Sequence, residues 1–121
     1  MNDQNSHAQI PERVTIDAIE AEIASEHYFT AADGVLGELA SDGVLPTPYE
    51  RENLPTTLKL LTICVLILKN GIKVIGHSSC VRPEIFDAEI GRQCARRMAI
   101  DEMWPLLGFR LADQLVAAGE R

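Results

Sequence analysis

Basic residues are in short supply in this 121-residue chain: 11 Lys and Arg stand against 18 Asp and Glu, a formal charge of −7. A protein that wraps DNA or RNA needs a basic footprint, so a nucleic-acid partner is disfavoured. Cysteine is scarce and odd in number. Cys64, Cys80 and Cys94 fall at irregular spacing without a Cys-x-x-Cys pair, the usage of reduced thiols in a cytosolic protein. The opening Met1-Asn2-Asp3-Gln4-Asn5-Ser6-His7 is polar and acidic, unlike a secretory signal or transit peptide. Apolar runs are short: the longest, Ile63 through Leu68, has six residues, where a membrane-crossing helix takes about 20. Catalytic signatures are missing too. There is no Gly-rich phosphate loop, no nucleophile elbow, no His-Glu-x-x-His and no acid pair spaced for acid–base work. The expectation is a soluble intracellular protein with no catalytic residues, no metal and no cofactor.

What is present suffices for one ordinary core. Hydrophobic residues make up 46% of the chain, and a domain of this size buries roughly two-thirds of its unfolded surface. Charge is segregated along the sequence. Residues 1–57 hold eleven acids and two bases (net −9), whereas residues 58–121 hold nine bases and seven acids (net +2). The halves can attract within one subunit or between subunits.

Residues 1–12 lack periodicity and read as a frayed tail. Thr15 reads as an N-cap, with Ile16, Ile19 and Ile23 at helical spacing behind it and Val14 and Ile19 placed as a hydrophobic staple. This predicts a first helix over 16–26. From 30 to 57, glycines and prolines break any long element, leaving a loop with at most a helical turn near 35–40. Asn70-Gly71, between the apolar run 59–69 and Ile72–Gly76, predicts a two-residue type I′ hairpin. In that register Ile67 faces Val74, Ile63 faces Ser78, and Cys64 lies opposite His77. Asp87 then caps a helix over 88–104, with Ile90, Cys94 and Met98 every four residues beside a stripe of Gly91, Ala95 and Ala99. Trp104-Pro105 ends or kinks it. A last helix over 106–118 carries Leu107, Leu111 and Leu115, and Gly119 stops it.

The expected fold is therefore α+β: an N-terminal helix, a long loop, a two-stranded antiparallel hairpin and a C-terminal helix pair. Both faces of the first hairpin strand are apolar, as in a strand covered on two sides. The chain's helices suffice for one face, so the prediction is an oligomer-forming domain over 13–118. Cys64, Leu66, Leu68 and Ile75 are the expected interface, and the first partner is a second copy.

The stretch from Leu61 to Leu115 has a further feature. Thr62 through Gly71 leads into Gly76-His77-Ser78-Ser79-Cys80, then Pro83-Glu84-Ile85-Phe86-Asp87-Ala88-Glu89-Ile90-Gly91, and finally Trp104-Pro105-Leu106-Leu107-Gly108-Phe109. Together with Val14-Thr15 and Ser25 through Thr30, this resembles a family of small tailed-phage and prophage proteins named for gene forty-nine of one phage and gene sixty-six of another. Residues 31–57 form the variable part. Ile72, His77, Leu107 and Phe109 depart from the family pattern. The resemblance implies a phage or prophage origin, a shared fold and a place in the cytoplasm of an infected bacterium, and it carries no activity.

Two constellations could carry chemistry. Cys64 beside His77, with Cys80 and Cys94, offers thiol activation or a Cys₃His zinc set, but buried free cysteine is ordinarily a small hydrophobe. Arg92, Arg96 and Arg97 form the one dense basic cluster, with Trp104 and Phe109 nearby to stack a ring, so a small anionic or nucleotide ligand is an alternative function. The competing reading pairs these arginines with Glu20, Glu22 and Glu26 of the first helix, or with the partner subunit. The preferred reading is a non-enzymatic, homo-oligomeric binding module acting on a host or phage protein, in host takeover or counter-defence.

Overall fold

The structure, a computed structural model, describes residues 10–120. Helix α1 spans Ile16–Glu22 and strand β1 Ile23–Thr30; helices α2 (Ala31–Ser41), α3 (Pro48–Glu52) and α4 (Thr56–Lys59) follow. Strands β2 (Leu61–Leu68) and β3 (Lys73–Ser79), a 3₁₀ turn (Pro83–Ile85) and helix α5 (Ala88–Ala117) complete the chain. The fold is α+β: a three-stranded antiparallel sheet in the order β1-β2-β3, with α5 lying across one face. The expectation of a frayed 1–12 segment falls, for residues 1–9, outside the described residues.

The first helix is shorter than its spacing predicts. Thr15 does cap it, accepting a 3.1 Å hydrogen bond from the Ala18 amide. Ile23, however, opens a strand rather than a third helical turn. Pairing with β2 overrides the helical spacing because it satisfies the backbone of 23–30 and sets Tyr28 beside Cys64. The 30–57 region is likewise more ordered than its breakers suggest. Thr30 and Asp33 form a reciprocal capping box that starts α2, and Thr47 and Glu50 form another that starts α3, with Pro48 in its first turn.

The hairpin differs by one residue. The Gly71 amide donates to the Leu68 carbonyl (2.9 Å), and Gly71 alone in the turn has positive φ, +87°. This is a three-residue loop, a tight turn followed by a left-handed glycine, in place of the predicted type I′ turn. Its consequence is a register shift: Ile67 faces Lys73, Cys64 faces Gly76 and Ile63 faces His77. A one-residue slip exchanges the faces of every side chain on β3. Val74 therefore joins the core and Ile75 leaves it.

The C-terminal helix pair is one helix. Pro105 lies inside α5 without ending it. It is exposed and so is Asp101, whose carbonyl loses its partner at the proline but remains open to water. The buried stripe is Gly91, Ala95, Ala99, Met103, Leu107 and Leu111, whereas Ile90 and Met98, also expected on the apolar arc, are exposed. Small residues win that face because α5 lies directly on the sheet at Gly76 and Thr62. Ile19, Cys64, Leu66, Leu68 and Val74 complete the core beneath it.

Candidate functional site

The sheet has a second face, and α5 does not reach it. Along β2 burial alternates strictly: Thr62, Cys64, Leu66 and Leu68 are buried under α5, and Leu61, Ile63, Val65 and Ile67 are half-buried on the other side. The registers extend that second face into rows across three strands: Ser25–Ile67–Lys73, His27–Val65–Ile75 and Phe29–Ile63–His77, with Leu61 beside Ser79. Helix α2 packs against β1 and β2, with Gly34 near the Phe29 ring. Ile75 remains 57% exposed.

The interface expected from sequence is revised accordingly. Cys64, Leu66 and Leu68 are core residues of their own subunit, and Ile75 alone lies on the open face. The shifted register explains the mixture, because Ile75 belongs with Ile63, Val65 and Ile67. Among the described residues the three strands place no carboxylate on this face, in a chain of net charge −7; its polar members are Ser25, His27, Lys73, His77 and Ser79. Ser25 Oγ and His27 Nε2 lie 3.0 Å apart at its β1 border.

On the covered side, α5 is tied to the front of the chain by two arginine forks. Arg96 reaches both Glu20 and Glu26: Nη2 donates to Glu20 at 2.6 Å and Nη1 at 2.9 Å, while Nε donates to Glu26 at 2.9 Å. Arg110 donates to both oxygens of Glu22 at 2.9 and 3.2 Å. The opposed charges of the two halves of the sequence thus meet inside one subunit. Hydrogen bonds from Arg96 hold the carboxyls of Glu20 and Glu26 below their ordinary range, and those from Arg110 do the same for Glu22. Burial pushes the Tyr28 phenol up, reinforced by Glu26, which accepts its hydroxyl at 2.7 Å. Burial also pushes the Cys64 thiol up.

The arginine cluster is therefore divided. Arg96 is held by two carboxylates and Arg92 pairs with Glu89 at 2.9 Å. Arg97 has no ion pair among the described residues and lines a shallow groove together with Arg96, Ile16, Ile100, Asp101 and Trp104. Asp101 balances its charge there. Phe109 lies elsewhere on α5, beside Leu106 and Ile72. Of the five expected ligand contacts, Arg96, Arg97 and Trp104 share that groove, whereas Arg92 and Phe109 line others.

The cysteines do not converge. Cys64 is in the core, and His77 is on the opposite sheet face. The Cys80 thiol lies 3.2 Å from the Arg82 carbonyl, to which it donates, and Cys94 is half-buried on α5. Among the described residues no three His, Cys, Asp or Glu side chains are grouped to hold a metal ion. None of the described helices is long and apolar enough to cross a membrane.

The domain is thus α+β, with one sheet face covered by α5 and the other face apolar. Residues 14–115 match the model of the phage protein (N4 Gp49/phage Sf6 gene 66) family, and the chain belongs to that family. No curated protein and no solved structure matches it significantly.

Proposed function

We propose that this phage-family protein is a non-enzymatic binding module that works as a homo-oligomer, joined through the open face of its sheet. The observation that carries the reading is the column Ile63, Val65 and Ile67, flanked by Phe29 and Ile75, with no carboxylate from the described strands on that face. Contiguous apolar surface of this kind on a soluble domain marks an association site. The divided arginine cluster speaks against the small-anion alternative, since Arg96 and Arg92 are already paired. Membership of a phage protein family supports a role in the infected cell, such as host takeover or counter-defence through a host or phage protein.

Sedimentation velocity at micromolar concentration tests the reading. The wild-type chain is expected to sediment as a dimer or larger species. Ile75→Glu, at a position that its own subunit leaves exposed, is expected to yield a folded monomer. A monomeric wild-type protein would overturn the proposal.

A further inference from the structure

The open face has a chemical counterpart elsewhere on the same chain. Between α2 and α4 the segment 42–52 exposes large apolar side chains that its own subunit does not cover: Val44 at 50%, Leu45 at 77% and Tyr49 at 74%. The segment itself carries Asp42, Glu50 and Glu52 against Arg51, and the Lys59 ammonium donates to the Glu52 carbonyl at its end at 2.9 Å. The sheet face presents the complement, an apolar column bordered by Lys73, His27 and His77. The segment also keeps a defined shape. The Thr47–Glu50 capping box fixes α3, and Pro46 and Pro48 stiffen its approach, so ordering it on contact costs little. The segment leads through α4 to Leu60 and Leu61 at the start of β2.

We infer that the occupant of the open sheet face is the segment 42–52 of a second copy. Leu45 and Tyr49 seat against the Ile63–Val65–Ile67 column, and the acids of the segment face Lys73 and the two histidines. In a two-fold pair each copy gives one segment and receives another, so both contacts close at once and the apolar faces of both subunits are covered. The inference rests on the self-association reading above and adds to it which residues of the partner complete the face.

Two variants and their mixture test it, with circular dichroism confirming that each is folded. Leu45→Ser/Tyr49→Ser removes the segment's anchors at exposed positions, and Ile75→Glu spoils the face. Each alone is expected to weaken self-association by about tenfold or more, as loss of an anchoring side chain does. Mixed, they are expected to form a heterodimer, because the intact segment of one fits the intact face of the other. If the segment variant associates like wild type while Ile75→Glu is monomeric, the segment is not the occupant and the open-face reading stands without it. If both are monomeric and the mixture stays so, segment and face do not meet, and the inference is likewise overturned. A monomeric wild-type protein would remove both readings together.

Discussion

Gly76 of β3 and Ala95 of α5 touch backbone to backbone: a β-carbon on Gly76 would overlap the Ala95 carbonyl oxygen and lie 2.5 Å from the Ala99 nitrogen. No flexible side chain is involved that could move aside. This contact lets α5 sit low enough on the sheet for Met103 and Leu66 to be fully buried.

Gly76→Ala is therefore expected to cost about 3 kcal/mol or more, or to prevent folding, because helix and strand must part. Gly108→Ala is the contrast. It lies inside α5 with nothing near its added methyl, and is expected to raise stability by about 0.5–1 kcal/mol. Thermal denaturation followed by circular dichroism reads both; a G76A protein melting like wild type would refute the close approach.

The two adjacent arginines of α5 are expected to behave differently. Arg96→Ala strands Glu20 and Glu26, and should cost about 1–2 kcal/mol after allowing for solvent screening of these part-exposed carboxylates. Arg97→Ala breaks no ion pair and should stay within about 0.5 kcal/mol of wild type. Equal losses from both, in urea titrations, would contradict the assignment.

Acid should weaken the protein through the same groups. Glu20, Glu22 and Glu26 are held below their usual carboxyl value of 4.5 when folded. The unfolded chain thus binds protons first, and the stability these groups contribute is intact above that value and lost as pH falls through their folded values. Arg96→Ala should flatten the part of this dependence that belongs to Glu20 and Glu26. Melting temperatures between pH 3 and pH 7 report the difference, and identical slopes in the two proteins would exclude it.

Thiol reactivity should follow burial. Cys64 is fully buried and its thiol is pushed up, so a disulfide exchange reagent is expected to label Cys80 and Cys94 first and Cys64 only on unfolding. Early labelling of Cys64, located by peptide mass spectrometry, would show the core to be open.

Much of this architecture was legible where local chemistry acts alone. Thr15 and Asp87 cap their helices as residue type and position suggest, and the Gly91–Ala95–Ala99 stripe is the close-packed side of α5. Strand β1 was hidden because Ile16, Ile19 and Ile23 continue a helical spacing, and only the pairing with β2 decides between the two. The hairpin register turned on whether Asn70 takes positive φ. It does not, and that single dihedral reassigned Val74, Ile75 and His77 between faces. The capping boxes at Thr30–Asp33 and Thr47–Glu50 were readable as spacing, yet were outweighed by the surrounding glycines and prolines. Two apolar faces on β2 were evident from composition. Which of them the chain itself covers required the third strand, because β1 and the true register set which side chains share the open side.

One modest contact limits how such molecules can multiply. The His77 amide on β3 donates to the Met98 sulfur at 3.4 Å, so this amide of the sheet's outer edge is already engaged by a side chain of α5. Strand-on-strand growth is thereby obstructed at that rim and left to the opposite one, where two β1 borders would exhaust each other on meeting. A strand added from outside would have to approach along the β1 edge instead.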